Sequence, residues 1–360
     1  SELDSGDEGE DIGDYVAKVG DFYLLATRTD EDVSCVEVLT YERETGNLFV
    51  HHDIPLPAFP LSMSWLDCPP GPTGTVDSGD VAPGAGIGVG NFVAVSTFRP
   101  NIEIWNLDVI DPLEPTLSLG GVTEEGELHP GSHTDSVMSV EWNRFHRNLL
   151  ASGGADRTVK IWDITAAPSS APHSSLSLPS PKPLHTFSYH RGKVQSVRWH
   201  CFEDDGSVLA TASYDRTVAV VDASDPKGEM MRLGLDSDPE DLQWSPHEGW
   251  LLVAACESGE VRAWDVRSPK EPLWSIEAHR GEASSLSFCT TTRGVLATAG
   301  KDKNVVLWDV YAEGGKPVEL GRRSMGVGAL FSVRWLTHEP GCLAAAGDGG
   351  RVAIWDIDGD

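Results

Sequence analysis

The sequence of 360 residues has no long apolar run, no paired cysteines and few basic side chains. No stretch approaches the roughly 18 apolar residues that a helix needs to cross a bilayer, and acidic residues stand at the N-terminus where a secretory signal would be basic. These absences predict a soluble, intracellular protein. The apolar content of 40% still provides ample material for a core, which excludes disorder throughout.

The cysteines show neither a CxxC pair nor the spacing of a metal site or a disulfide framework. A reducing compartment fits this pattern. The six positions are Cys35, Cys68, Cys201, Cys256, Cys289 and Cys342.

Positive charge is scarce, because 27 basic side chains face 56 acidic ones and give a net charge of −29. Residues 1–13 read as a solvated acidic tail that precedes a single domain at 14–360. Chain-wide binding of nucleic acid is disfavoured, although a local basic patch and attraction of basic proteins remain compatible with this charge. The first residue is Ser1 instead of Met, which suggests a fragment of a longer protein.

Tryptophan is abundant and regularly placed. Ten of the twelve tryptophans fall into two alternating registers, and partners in the two registers are mostly 20 residues apart. The first register contains Trp65, Trp142, Trp199, Trp244 and Trp335, with Phe288 in its gap. The second contains Trp105, Trp162, Trp264, Trp308 and Trp355, with Val221 in its gap.

Between its first-register and second-register residues, each unit contains short segments in which apolar and polar residues alternate, separated by turns rich in Gly, Asp and Asn. Such alternation predicts antiparallel β-hairpins, and a repeat of 43 to 47 residues with Trp-Asp at its end is typical of a four-stranded propeller blade. The chain from about residue 50 resembles WD-repeat proteins, which implies an all-β propeller.

Seven blades are predicted. Six units are explicit, and residues 22–28, 34–41 and 47–53 look like three further strands of a first blade without tryptophan. The last unit ends after its third strand, so residues 14–18 are expected to supply the strand that closes the ring. Loop insertions are predicted at 67–91, 112–131 and 165–183, the last a Pro/Ser-rich loop between third and fourth strands.

A Ser/His/Asp set superficially suggests a hydrolase. We reject this interpretation because the set recurs blade by blade, whereas a catalytic site occurs once. The resemblance to WD-repeat proteins implies instead a structural hydrogen-bonded tetrad that satisfies buried polar groups. The two complete sets are His133, Ser152, Asp156 and Trp162, then His279, Thr298, Asp302 and Trp308; a partial set is His190, Thr211 and Asp215.

Two other segments imitate binding motifs. The glycines of residues 84–90 lack the strand-turn-helix context of a dinucleotide loop. His51 and His52 are adjacent on a predicted strand, where neighbours point to opposite faces, so a shared metal ion is disfavoured. The sequence therefore predicts no catalytic residue, no cofactor and no metal site, and a protein that is not an enzyme.

Residues 51–61 followed by Trp65, residues 102–111, and residues 133–148 resemble the periodic tryptophan protein 1 family. The chain departs from the family at position 106, where it has Asn and the family usually has Asp. The resemblance implies a nuclear and nucleolar assembly factor of the large ribosomal subunit. It implies a monomer within a larger complex, with assembly factors and ribosomal proteins as partners, precursor rRNA as a further candidate, and no membrane partner.

Basic residues in the turns between second and third strands and in the loops entering blades are expected on one face. They could bind RNA phosphate or an acidic peptide, with Tyr214 available for stacking, or could simply form a solvated face. The candidates are Arg157, Arg191, Lys193, Tyr214, Arg216, Arg280, Lys301 and Lys303. A second candidate patch on the opposite face contains Arg144, His146 and Arg147.

One alternative function comes from Trp264, Asp265 and Arg267. They resemble the WDxR box through which some propellers dock onto a cullin-type ubiquitin ligase as substrate receptors. Arginine at this position is common at a strand exit, so the motif is weakly specific.

Overall fold

A computed structural model describes residues 21–71, 88–123, 125–166, 180–337 and 341–357. Its strands pair in seven antiparallel sheets of three or four strands each, arranged as the blades of a β-propeller. The predicted all-β, seven-bladed propeller is thereby confirmed.

The blades follow one another in chain order, and each is given with its strands. Blade 1 contains β1 (Asp21–Asp30), β2 (Val33–Glu42) and β3 (Asn47–Leu56). Blade 2 contains β4 (Pro60–Leu66), β5 (Phe92–Thr97), β6 (Asn101–Asn106) and β7 (Leu117–Gly120). Blade 3 contains β8 (Val137–Trp142), β9 (Leu149–Gly154), β10 (Val159–Asp163) and β11 (His185–Phe187). Blade 4 contains β12 (Val194–Trp199), β13 (Val208–Ser213), β14 (Thr217–Asp222) and β15 (Met230–Gly234).

The remaining blades complete the ring. Blade 5 contains β16 (Pro239–Trp244), β17 (Leu251–Cys256), β18 (Glu260–Asp265) and β19 (Trp274–Glu277). Blade 6 contains β20 (Ala283–Phe288), β21 (Val295–Gly300), β22 (Asn304–Asp309) and β23 (Val318–Ser324). Blade 7 contains β24 (Leu330–Trp335), β25 (Cys342–Gly347) and β26 (Val352–Asp356).

The two aromatic registers occupy two different strands. First-register aromatics stand at or near the end of the inner strands, β4, β8, β12, β16, β20 and β24, which pack against one another around the centre. Second-register residues stand on the third strands, β6, β10, β14, β18, β22 and β26.

The apolar core lies between neighbouring blades. Between blades 2 and 3, for example, Leu119 of an outer strand packs with Trp142, Leu150 and Trp162 of the next blade. Trp162 is 1% exposed. Because every blade buries one face against each neighbour, no blade has a complete core of its own.

Side chains of one inner strand satisfy backbone groups of the next. Val140 and Trp142 donate their backbone N–H groups to Ser62 Oγ at 3.2 Å and Ser64 Oγ at 3.0 Å. At three later junctions, two side chains of one inner strand likewise accept two backbone N–H groups of the next inner strand. The acceptors and donors are Ser139 and Glu141 for Val197 and Trp199, Asp241 and Gln243 for Leu286 and Phe288, and Ser285 and Ser287 for Val333 and Trp335. N–H groups that an open strand edge would leave unpaired are thus paired between blades.

Three of the five first-register indoles reinforce these junctions. Trp199, Trp244 and Trp335 donate their Nε1–H groups to the carbonyl oxygens of Glu141, Arg198 and Ser287, at 3.1, 3.3 and 2.9 Å. Each acceptor lies on the inner strand of the preceding blade, so these indoles connect blades.

Blades 1 and 7 meet through side-chain packing. Tyr41, Leu24 and Leu48 of blade 1 contact Cys342 and Ile354 of blade 7. Three residues separate β3 from the inner strand β4, so the three strands of blade 1 correspond to the second, third and fourth strands of other blades. The closing strand predicted at 14–18 lies outside the described residues, as does the predicted tail at 1–13.

The predicted insertions connect strands as follows. Residues 67–91 lie between β4 and β5, and 165–183 between β10 and β11; residues 72–87 and 167–179 of these segments are outside the described part. The segment 112–131 contains more than a loop, because Leu117–Gly120 is the outer strand β7 and Val122 forms a bridge to Leu128. Spacing between tryptophans could not separate that short outer strand from its loop.

Candidate functional site

The repeated Ser/His/Asp set forms a hydrogen-bonded chain inside blade 3. His133 Nδ1 lies 3.0 Å from Asp156 Oδ2, and His133 Nε2 lies 2.8 Å from Ser152 Oγ. Trp162 Nε1–H donates to the same Oγ at 2.8 Å. Asp156 also accepts the backbone N–H of Thr134 at 3.0 Å, which ties the loop entering the blade to the turn after β9.

Burial and hydrogen bonding set the charges in this chain. Burial lowers the pKa of His133, and the bond to Asp156 only partly opposes it. Burial alone would raise the pKa of Asp156, but hydrogen bonds from His133 and Thr158 and the N–H of Thr134 hold it well below its ordinary value. His133 and Ser152 are both 0% exposed, so a substrate has no route to the hydroxyl. Hydrogen bonds within the set satisfy its buried polar groups, so no catalytic role is needed to explain why these residues occur together.

Blade 6 repeats the arrangement. His279 Nδ1 lies 3.0 Å from Asp302 Oδ1 and Nε2 lies 2.8 Å from Thr298 Oγ1, which accepts the indole N–H of Trp308 at 3.1 Å. The same geometry in two blades supports the structural interpretation of the tetrads.

Blade 4 keeps three members and substitutes the fourth. His190 lies 3.1 Å from Asp215 and 2.9 Å from Thr211 Oγ1, but the Val221 side chain has no N–H to donate. The hydroxyl of Tyr189 bonds to Thr211 Oγ1 at 3.2 Å in place of the indole. Burial raises the pKa of Tyr189 to about 12. The sequence pattern missed this replacement because Tyr189 lies 32 positions before the missing tryptophan.

The predicted basic face combines turns of several blades. Asp156, Asp215 and Asp302 each bind a backbone N–H of an inter-blade loop, so these turns and loops share one face. Three turns hold a basic residue in the left-handed region, at Arg157 (φ 68°), Arg216 (φ 63°) and Lys303 (φ 71°). All three side chains are exposed.

Four of the eight residues of the predicted face already have partners within the chain. Arg216 Nε lies 3.1 Å from Asp238 Oδ1, Lys301 pairs with Glu282, and Lys193 Nζ lies 3.7 Å from the centroid of the Tyr214 ring. Because Lys193 covers that ring and the Tyr214 hydroxyl donates to Glu240, Tyr214 is not the free stacking platform that the sequence suggested. Among the described residues, four basic side chains of the face have no partner: Arg157, Arg191, Arg280 and Lys303.

In the second predicted patch, too, one basic side chain, Arg147, already has partners within the chain. Arg147 donates from Nε to Asp67 Oδ1 at 2.7 Å and from Nη2 to the carbonyl of Gly88 at 3.0 Å. It therefore clamps the two ends of the 67–91 insertion. The Arg144 guanidinium lies 5.6 Å from the Phe145 ring centroid, and His146 shares its loop.

The side chains of the WDxR box contact one another and their neighbours within blade 5. Arg267 makes two bonds to Asp265, at 2.9 and 2.7 Å, and its guanidinium lies 4.6 Å from the ring centroid of Trp250. Trp264 is 2% exposed. This geometry gives Arg267 a local partner and does not favour the ligase interpretation.

The prediction that the His51 and His52 side chains point to opposite faces of the strand is wrong. The register of β3 shifts beside His51, and the resulting bulge places the two Nδ1 atoms 2.8 Å apart. Within the described ranges, however, no group of three or more His, Cys, Asp or Glu side chains is arranged to hold a metal ion. No helix in that part of the chain is long and apolar enough to cross a membrane.

Charged side chains also meet among the inner strands. Arg198 Nη2 donates to Asp241 Oδ1 at 2.8 Å, and Arg334 Nη1 donates to Ser285 Oγ at 2.9 Å. Burial raises the pKa of Glu141 to about 7 despite the nearby Arg198. The strand-edge bonds therefore include a carboxyl group that titrates near neutral pH.

Comparison with known proteins matches three of these blades to a repeat family. The family "WD domain, G-beta repeat" matches residues 127–163, 181–222 and 270–309. These ranges contain β8 to β10, β12 to β14 and β20 to β22, the blades that carry the three histidine-centred sets.

Similarity to whole proteins extends over most of the chain. An uncharacterized WD repeat-containing protein of Schizosaccharomyces pombe is 34% identical over 89% of this chain and 57% of its own length. Periodic tryptophan protein 1 of Saccharomyces cerevisiae is 29% identical, over 85% of this chain and 56% of that protein. The Drosophila melanogaster homolog is 26% identical, over 93% and 67%. The chain thus spans little more than half the length of two of these relatives. The chain is a seven-bladed β-propeller that contains WD repeats and is similar over most of its length to periodic tryptophan protein 1.

Proposed function

We propose that the chain is a non-enzymatic scaffold that acts in the assembly of the large ribosomal subunit, in the nucleus and nucleolus. One observation carries the proposal: similarity to periodic tryptophan protein 1 from two organisms extends over 85% and 93% of the chain. It therefore extends beyond the three blades that match the general repeat family. The family resemblance of the sequence implies the same role.

The geometry supports action by binding. The side chains of the tetrads, which resemble a hydrolase triad, are bonded to one another inside the blades. The two faces and the rim of a propeller, by contrast, can hold several partners at fixed relative positions. Assembly factors and ribosomal proteins are the proposed partners, and many ribosomal proteins are basic, which suits a net charge of −29. RNA contact is proposed only at the unpaired Arg157, Arg191, Arg280 and Lys303.

Depletion of the full-length protein tests this role. We expect a deficit of free large subunits, accumulation of large-subunit precursor rRNA, and sedimentation of the tagged protein with precursor particles. Normal subunit levels with the protein confined to the top of the gradient would contradict the proposal. Recovery of a cullin-ligase adaptor without ribosomal precursors would instead favour the WDxR interpretation at Arg267.

A further inference from the structure

Blade 4 lacks apolar volume at two positions of one wall. Where the third strand of blade 3 carries Trp162 and continues to Ile164, blade 4 carries Val221 and Ala223. The other second-register tryptophans are followed two positions later by a larger aliphatic residue, at Leu107, Val266, Val310 and Ile357. Val221 and Ala223 pack in the same interblade cluster, and of the two Val221 lines the pocket described next.

Neighbouring side chains refill only part of that space. Phe187 of the preceding outer strand stands where the equivalent cluster of blade 3 has Leu119, and the hydroxyl of Tyr189 reaches Thr211. A pocket of about 190 Å³ remains between blades 3 and 4. Phe187, Tyr189, Val221 and Met230 form its apolar wall.

We propose that this pocket, here called the blade 4 pocket, binds a tryptophan side chain of a partner protein. The same framework encloses an indole in the neighbouring blade, so a flat aromatic group is the shape that fits the reduced wall. Thr211 is already bonded to Tyr189 and His190, so an entering indole N–H must find its acceptor at the mouth. Asp225 and Glu229 place carboxylates there.

The pocket is partly open to solvent along the exposed residues 225–230, which favours a protein ligand over a free small molecule. Small-molecule sites usually bury most of their ligand, whereas a ligand held here stays accessible to flanking contacts on that side. The chain cannot fill the pocket with its own tryptophan, because all twelve lie in described residues and none of them lines it. Two carboxylates at the mouth face one ammonium, that of Lys227, which favours a basic neighbour beside the partner's tryptophan.

The proposal does not depend on ribosome assembly and is tested on the isolated full chain. With methionine methyl groups labelled for NMR, N-acetyl-tryptophan amide is expected to shift the Met230 signal. Met63, Met138 and Met325 lie outside the pocket and serve as internal controls. The dipeptide amide Trp-Lys is expected to bind several-fold more tightly than Trp-Glu at low salt. The opposite order would overturn the assignment of a basic neighbour.

Filling the pocket from within provides the decisive variants. Val221→Trp and Val221→Phe enlarge a side chain that lines the pocket and are each expected to weaken binding at least tenfold. Val318→Trp adds a tryptophan at a half-exposed position of β23 and is expected to leave binding unchanged. If Val221→Trp fails to fold, Val221→Phe decides. A Met230 shift that persists in the filled variants, that is absent up to the solubility limit, or that is matched by the other methionines would overturn the proposal.

Discussion

Single hydroxyl groups inside the blades each form hydrogen bonds with more than one buried polar group. Ser152 accepts from an indole and bonds a histidine at once, and both partners are buried, so its loss leaves two polar groups without partners. Unpaired buried groups are costly because water cannot replace the missing bond. The same hydroxyl position is filled by Thr211 and Thr298 in the other two sets.

Replacement of Ser152 by Ala is expected to lower the free energy of unfolding by about 2 kcal/mol, because it orphans His133 Nε2 and the Trp162 indole. Urea denaturation followed by tryptophan fluorescence measures the change. Ser268→Ala, at an exposed turn serine, is the matched control and should change stability by less than about 0.5 kcal/mol. Equal effects of the two substitutions would contradict the tetrad assignment.

Tyr189 is expected to replace the missing indole N–H energetically as well as geometrically. Tyr189→Phe should cost about 1 kcal/mol in the wild-type chain and close to nothing in a Thr211→Val background, since the bond between the two hydroxyls is then already absent. A double-mutant cycle measured by denaturation gives the coupling. Additive effects of the two substitutions would show that Tyr189 only fills space.

At the scale of the strand, individual tryptophans perform different tasks. The second-register indole of Trp162 bonds within its blade, and three first-register indoles, such as that of Trp199, bond to the preceding blade. The first-register indole of Trp142 instead bonds to the Arg147 carbonyl of its own blade. Periodicity predicted where both registers stand, because spacing alone marks strand ends. It could not predict the strand-edge bonds from Ser62 or Glu141, since these depend on how neighbouring blades are rotated against each other.

Glu141 makes one inner-strand junction sensitive to pH. Burial raises its pKa to about 7 in the folded chain, above the 4.5 of an exposed glutamate, so folding favours its protonated form. The stability that this group contributes is full below about pH 4.5 and is lost as the pH rises through about 7.

Glu141→Gln keeps an acceptor for the Trp199 backbone N–H but cannot titrate. The free energy of unfolding of the wild type, relative to this variant, should therefore fall by on the order of 2 kcal/mol between about pH 5 and pH 8. Denaturation midpoints at several pH values measure the difference. A difference that stays constant or grows over this range would show that Glu141 is ionised at no cost in the folded chain.

At the scale of the whole molecule, charge pairing decides which parts of a face are free. The sequence grouped eight residues on one face, but it could not reveal that Arg216, Lys301 and Lys193 already have partners, because Asp238, Glu282 and Tyr214 come close only in the folded ring. The β-bulge at His51 escaped prediction for the same reason, since it requires the pairing register of β2 and β3. Blade number and strand order were predictable, because each unit repeats one pattern.

Reversal of the free charges tests the proposed RNA contact. Arg157→Glu combined with Arg191→Glu is expected to reduce association with precursor particles about tenfold, with a weaker dependence on salt, since both side chains are exposed and unpartnered in the described structure. Lys270→Glu combined with Lys316→Glu, at two exposed lysines outside both the basic face and the blade 4 pocket, is the charge-matched control. Gradient sedimentation at two salt concentrations measures the effect, and equal losses for both variants would remove RNA contact from this face.

We propose that this seven-bladed ring, with its internally bonded tetrads, acts through its faces and rim. Cryo-electron microscopy of particles purified through the tagged full-length protein tests this proposal. We expect a large-subunit precursor in which seven blades are visible, partners contact the faces or rim, and His133, Ser152 and Asp156 remain bonded to one another. A ligand bound at Ser152, or recovery of the protein without any ribosomal precursor, would contradict it.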